Sequence, residues 1–327
     1  MRNKKILITG ADGFIGSHLV ETLLKNQNEV IALSMYNSFN NWGWLEGIKN
    51  NRLEVISGDI RDYNFCKKIS NNVDVIFHLA ALIAIPYSYH SPRSYIDTNV
   101  IGTLNLCEAL KENKLERLIN LSTSEVYGTA KYVPIDENHP LQPQSPYSAS
   151  KIGAESIAMS YYNSFDLPIT TVRPFNVYGP RQSARAIIPS LIIQMISNKE
   201  FLDVGNLSPT RDYTFVEDTC NGLIGISNEV SLIGKIINLG SETEISIEEI
   251  INKLKFILGS NIKTKIDKQR IRPDKSEVER LLSDTTLLKN HTKYKPKYNF
   301  DEGLNITVEW FSKKENLQLY KSNIYNI

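Results

Sequence analysis

The sequence predicts an α/β fold, a doubly wound parallel sheet joined to a smaller C-terminal α/β lobe. Two observations lead there: short β-branched runs alternate with longer helical patterns through the first half, and composition shifts after Arg173 toward Pro, Lys and isolated helices. A third is length, since 327 residues exceed the usual single domain.

Strands are expected at about 4–9, 29–34, 52–56, 73–78, 116–122 and 168–173, with a late one at 235–239. Helical patterns lie between them at 15–25, 102–114 and 147–164, which makes a βαβ succession. Residues 1–175 and 213–242 are assigned to the sheet domain, 176–212 and 243–315 to the lobe. The tail, 316–327, is polar with little apolar periodicity and is expected to be partly disordered.

The net charge of +1, from 37 basic and 36 acidic residues, supplies no field for nucleic acid or an anionic membrane. Cys66, Cys107 and Cys220 are far apart with no C-x-x-C pair, so neither a disulfide framework nor a metal site is expected, and a reducing, cytoplasmic setting fits. The longest apolar stretch, near 75–85, contains His78 and is closed by Pro86, short of the ~20 residues that span a bilayer. Asp12, so close after a short apolar run, argues against a signal peptide.

Directly after the first strand comes Thr9-Gly10-Ala11-Asp12-Gly13-Phe14-Ile15-Gly16, then a helical pattern. Glycines at 10, 13 and 16 allow a tight turn, close approach to a pyrophosphate and close helix packing, while the helix start offers amide donors. A second strand ending in Asp or Glu would read the adenine ribose of NAD. Here Ser34 stands at that place, and no Arg or Lys between 34 and 41 awaits a 2′-phosphate. NAD is the expected cofactor, and NADP is left open.

Tyr147 and Lys151 are four apart, so on a helix they share one face. A tyrosine whose pKa is lowered by a neighbouring ammonium and a positively charged ring can take a hydroxyl proton as hydride leaves the same carbon. Upstream, a strand runs into Ser122-Thr123-Ser124-Glu125-Val126-Tyr127-Gly128, the strand end where such sheets present catalytic groups.

These motifs, with His78-Leu79-Ala80-Ala81, Thr98-Asn99-Val100-Ile101-Gly102-Thr103 and Arg173-Pro174-Phe175-Asn176-Val177-Tyr178-Gly179-Pro180, occur in the order of the extended short-chain dehydrogenase/reductases, and the chain resembles their epimerase/dehydratase family over nearly its whole length. The resemblance implies a Rossmann-type dinucleotide domain with a nucleotide-sugar-binding lobe. It implies cofactor contacts from Gly10, Gly13, Phe14, Ile15, Gly16, Ser34, Asp59, Ile60, Leu79, Ala80, Ala81, Asn99, Tyr147, Lys151, Pro174 and Asn176. It implies catalysis by Thr123, Ser124, Glu125, Tyr147 and Lys151, with Lys151 also on the nicotinamide ribose.

Glu125 separates the reactions. Sugar 4-epimerases usually lack an acid there, whereas hexose 4,6-dehydratases carry Thr-Asp-Glu; this chain has Thr123-Ser124-Glu125. Serine is too weak an acid to protonate a leaving hydroxyl, so Glu125 is expected to act twice, with Ser124 orienting it. Arg211 and Arg272 match family positions that meet the diphosphate or ribose, Asn176 is the usual amide contact, and Arg185 is a third cation. The apolar loop 82–89, with Ile85 as a sugar contact, and the aromatic segment 36–44 resemble the dehydratases of bacterial legionaminic acid biosynthesis, which act on GDP- or UDP-linked N-acetylglucosamine. The same Thr-Ser-Glu also resembles decarboxylases of UDP-glucuronate, which with the 4-epimerases form the alternative; a non-catalytic binding module is the remote one. Apolar residues on more than one face of the 102–114 and 147–164 helices, among them Leu106, Leu110, Ile157 and Tyr161, imply a homodimer through a four-helix bundle, as in the family.

Overall fold

The computed structural model describes residues 1–197, 199–321 and 324. Six strands follow one another through the first half: β1 (Lys5–Thr9), β2 (Glu29–Met35), β3 (Leu53–Gly58), β4 (Val75–His78), β5 (Arg117–Leu121) and β6 (Ile169–Pro174). After β7 (Asn176–Tyr178), β8 (Phe201–Val204) and β9 (Thr210–Phe215), β10 (Ile236–Leu239) returns to them. Together they form a seven-stranded parallel sheet ordered β3-β2-β1-β4-β5-β6-β10. The order reverses between β1 and β4, and the strand ends there open a crevice.

Side-chain alternation explains why both faces are covered. On β1, Ile6 and Ile8 enter one core with Leu19 and Leu23 of helix Phe14–Lys25, while Leu7 enters the other with Leu106 and Leu110. β5 and β6 are buried at every position.

The lobe is built on β9, which pairs in parallel with β7 and, through Arg280–Leu281, with a short strand, and antiparallel with Glu244–Ser246. β8 pairs with Lys263–Ile266 beside it. Buried Asp212 on β9 fastens lobe to sheet domain: its carboxylate accepts from the amides of Ser241, Glu242 and Ser283 and from two serine hydroxyls.

Two sequence expectations change. The helix expected from Gly102 is already running at Pro92–Tyr95, widens to a π-helix over Ile96–Ile101, and ends at Leu110 rather than 114. Gly102 is there for packing: a Cβ would lie 2.4 Å from the Ile60 side chain. The tail expected to be partly disordered, 316–327, falls partly on residues outside those described. Of the described ones, Lys314–Leu317 is helical, and Tyr320 packs on Trp44, Trp310 and Phe311 while its hydroxyl donates to the Gln182 carbonyl at 3.0 Å. Among the described residues no helix is long and apolar enough to cross a membrane, and no cluster of His, Cys, Asp or Glu is arranged to hold a metal.

Candidate active site

The glycine turn closes as its spacing requires. Gly10 has φ +66°, and a Cβ on it would lie 2.8 Å from the Ala80 nitrogen; one on Gly16 would lie 2.2 Å from the Gly10 carbonyl oxygen. Gly13 is the N-cap of helix Phe14–Lys25 and no side chain caps it, which leaves the first-turn amides of Phe14, Ile15 and Gly16 to an outside acceptor. That donor set fits a dinucleotide pyrophosphate.

Leu79, Ala80 and Ala81 leave β4 beside this turn. The Leu79 amide donates to the Thr9 carbonyl at 3.2 Å and the Ala80 amide to Thr9 Oγ1 at 3.1 Å. Behind them His78 is fully buried, with Nδ1 2.8 Å from Thr9 Oγ1 and Nε2 3.0 Å from Thr103 Oγ1. Thr103 donates to the Asn99 carbonyl, so Nε2 carries the proton and donates to Thr103. Burial, aided by the Lys151 charge, pushes the His78 pKa down to about 3, so the ring is neutral structure. Asp59 is held by Arg61, and Ile60 is buried against Gly102. Asn99, expected at the cofactor, braces the next loop: its amide bonds both main-chain groups of Leu82 and donates to Ser150 Oγ at 2.9 Å. Ser34 is fully buried and turns its hydroxyl to Asp12. Pro174, at the end of β6, is buried.

The helix that carries Tyr147 and Lys151, Pro146–Phe165, starts sharply. Ser145 caps it, with Ser148 completing a reciprocal capping box and Pro146 at the first turn. This fixes Tyr147 at the helix mouth, where its ring meets Tyr95 edge-on at 6.2 Å and packs with Ile85. Thr123, at the end of β5, hydrogen-bonds the Tyr147 phenol and accepts the Glu125 amide at 3.2 Å. One threonine thus positions both groups. The Glu125 charge acts on the phenol, and Ser124 is buried between them in sequence.

The electrostatics differ from expectation in two respects. Burial dominates at Tyr147 and raises its pKa, with the Thr123 hydrogen bond pulling it down and Glu125 adding to the rise. Lys151 is turned elsewhere: Nζ donates to the Leu121 carbonyl at 2.7 Å, and burial lowers its pKa to about 8 against an upward pull from Glu155. The chain alone keeps the phenol protonated, so lowering its pKa falls to groups that arrive with the ligands.

Of these residues Glu125 lines a cleft of about 370 Å³; Thr123, Ser124, Tyr147 and Lys151 are not in its lining. Glu125, Asn176, Arg185, Arg211 and Arg272 line it together. Arg272 Nη1 is buried without a hydrogen-bond acceptor, and Arg211 lies 3.6 Å and Arg272 3.8 Å from one oxygen of Glu277. Two guanidiniums around a single carboxylate, one with an orphan donor, suit a diphosphate. The loop expected to be apolar forms helix Ile85–His90, which presents Pro86, Tyr89 and His90 to the cleft, while Ile85 is buried under Tyr147. Trp44 packs on Trp310, away from the cleft lining.

Sequence reasoning missed Tyr95, Glu277 and the pair of Glu155 with Arg173. Arg173 is fully buried, its Nε and Nη2 donating to the two Glu155 oxygens and Nη1 to the Tyr127 hydroxyl at 3.0 Å. Glu155 stands four after Lys151, one more helical step along the same face, and that spacing was the available signal.

Comparison with known proteins shows the family of the chain. The sequence model of one family, described as GDP-mannose 4,6 dehydratase, matches residues 7–307. A UDP-N-acetyl-alpha-D-glucosaminuronate decarboxylase of Bacillus cytotoxicus is 32% identical, over 96% of this chain and 99% of that protein. The crystal structure of UDP-glucuronic acid 4-epimerase from Bacillus cereus, in complex with UDP-glucuronic acid and NAD, superposes with a TM-score of 0.88 at 32% identity, covering 97% of this chain and all of that one. DesIV, a dTDP-glucose 4,6-dehydratase of Streptomyces venezuelae with NAD bound, superposes equally well at 0.88, with 29% identity over 97% of this chain and 99% of that chain.

Proposed function

We propose a reaction from one premise: this chain belongs to the GDP-mannose 4,6-dehydratase family of NAD-dependent nucleotide-sugar dehydratases and epimerases. The reading is a 4,6-dehydratase, a hydro-lyase that converts a nucleotide-linked N-acetylhexosamine, GDP- or UDP-N-acetylglucosamine, to its 4-keto-6-deoxy form with bound NAD. The observation that carries it is Glu125, a carboxylate lining the same cleft as Arg211 and Arg272 and acting on the Tyr147 phenol. An epimerase, which only oxidises and re-reduces C4, leaves that carboxylate without work.

NAD, held by the glycine turn, supplies a reversible hydride store when bound. Tyr147 takes the proton of the C4 hydroxyl as C4 becomes a ketone. The ketone acidifies the C5 hydrogen, and Glu125 removes that proton. Glu125 then passes a proton to the C6 oxygen, which leaves as water. With the stored hydride given back at C6, a proton returned to C5 from solvent and balanced by the one Tyr147 takes from the C4 hydroxyl would complete the product, and the net change would be loss of one water. Arg211, Arg272 and Asn176 hold the nucleotide end, and Lys151, whose ammonium keeps two donors beyond the one given to the Leu121 carbonyl, serves the nicotinamide ribose.

A hexuronate decarboxylase is the second reading. Arg185 lines the cleft and its charge acts on Tyr95, next to Tyr147, where it would meet a C6 carboxylate. Pro86 and Tyr89 at the same place favour an acetamido sugar. The three thiols, all free and buried, accord with a reducing cytoplasm. Leu106, Leu110 and Tyr161, expected at a dimer interface, are buried in the fold's own core with Ile157 packed against it, so the surface we assign to a homodimer is the exposed Ile96, Ile101 and Phe165.

The test is Glu125→Gln. It keeps bound cofactor but lowers dehydration by about 10²–10⁴-fold and stops exchange of the C5 hydrogen with solvent. Product at the wild-type rate would refute the role.

A further inference from the structure

Strand β2 ends where a dinucleotide-binding sheet ordinarily carries an acid for the adenine ribose diol. This chain has Ser34 there, yet an acid is present in space. The Ser34 hydroxyl donates to Asp12 Oδ2 at 3.1 Å, and the Met35 amide donates to the same oxygen at 3.1 Å. Asp12 comes from the glycine turn, one residue before the helix N-cap Gly13. The following loop closes on it: the Trp44 amide donates to the Asp12 carbonyl at 3.1 Å, and a Cβ on Gly43 would lie 2.8 Å from that oxygen.

The segment that follows the strand supplies no cation to meet a phosphate. No Arg or Lys occurs from Ser34 to Asn41. The cation beside this strand end is Arg61, just past Gly58, which pairs with Met35, and three hydrogen bonds to Asp59 already engage it.

We infer that Asp12 replaces the strand-end acid, its carboxylate accepting the hydroxyls of the adenine ribose and repelling a 2′-phosphate, so that it selects NAD over NADP. This rests on the dinucleotide reading of the glycine turn. A carboxylate with two oxygens has acceptor capacity beyond the Ser34 and Met35 donors. Moving the acid from strand to turn keeps the charge at the ribose while Ser34 seals the strand end. Asp12 is thereby a specificity-determining residue.

The test reads occupancy rather than turnover. Full-length protein is equilibrated with equimolar NAD and NADP, desalted, and its bound dinucleotides are quantified by mass spectrometry. Wild type retains NAD over NADP by at least about tenfold, as loss of a charged hydrogen bond and gain of repulsion require. Asp12→Asn keeps an acceptor for Ser34 and Met35, and it lowers that ratio by about tenfold or more. The double variant Asp12→Ala with Ser34→Asp returns the acid to the strand and restores the preference. An unchanged ratio in Asp12→Asn overturns the inference. So does a double variant that folds, by its melting curve, but does not discriminate; if Asp12→Asn fails to fold, the double variant decides alone. Wild type that retains neither dinucleotide would instead overturn the underlying cofactor reading.

Discussion

Tyr147 shows how much of this chemistry is deferred until ligands arrive. Its phenol is buried, raised in pKa and shared between Thr123 and the field of Glu125. Tyr147→Phe therefore stops the first hydride transfer, and a single-turnover experiment with substrate shows no reduced cofactor. A normal rate of reduction would contradict the assignment. Lys151 makes a second prediction through its depressed pKa. A lysine titrating near 8 in the folded chain and near 10.4 unfolded costs stability while charged, roughly 3 kcal/mol at neutral pH. The unfolded chain binds the extra proton between those values, so stability from this group rises with pH across that window. In cofactor-free protein, Lys151→Met is more stable than wild type at pH 7, and the gap narrows toward pH 10; a gap independent of pH, read by thermal denaturation, argues against it. Both residues were legible from a four-residue spacing. The direction of the Lys151 ammonium was not, because the Leu121 carbonyl that captures it lies thirty residues away in sequence.

At the scale of elements, helix Pro146–Phe165 holds the proposed base, Tyr147, at its first turn, so its start matters more than its length. Ser145→Ala removes the side-chain cap and lowers stability by about 1 kcal/mol, and it lowers kcat as Tyr147 loses its fixed place. A drop in melting temperature with kcat unchanged would show that the cap serves stability alone. The strands of the seven-stranded sheet could be read within a residue or two, since a parallel sheet buried on both faces requires continuous apolar runs, whereas the short strands outside it, such as β7, β8 and β9, carry no such run and were not expected. The helix before Leu110 could not. Gly102 read as a beginning because glycine punctuates most sequences, yet here it lies mid-helix to let Ile60 approach. Short helix Ile85–His90 was hidden for a related reason, Pro86 reading as a break while it occupies the first turn.

Across the whole molecule, polar locks join what the apolar cores leave separate. Arg173 and Glu155 tie β6 to the catalytic helix, and Asp212 ties lobe to sheet domain. Glu155→Gln leaves the Arg173 charge buried without its partner, and a loss of about 3–5 kcal/mol is expected in denaturant unfolding. Such locks escape sequence reading because they depend on which buried charges meet. Exposed Ile96, Ile101 and Phe165 lead us to expect a dimer mass by light scattering at micromolar concentration, and a monomer mass would count against the four-helix bundle. The central claim is that Glu125 removes a C5 proton on the way to losing water. Incubation of the protein with GDP- and UDP-N-acetylglucosamine in deuterated water, followed by mass spectrometry, tests it most directly. The account predicts a product lighter by one water that carries one deuterium at C5. A product of unchanged composition, or loss of water without deuterium at C5, would contradict it.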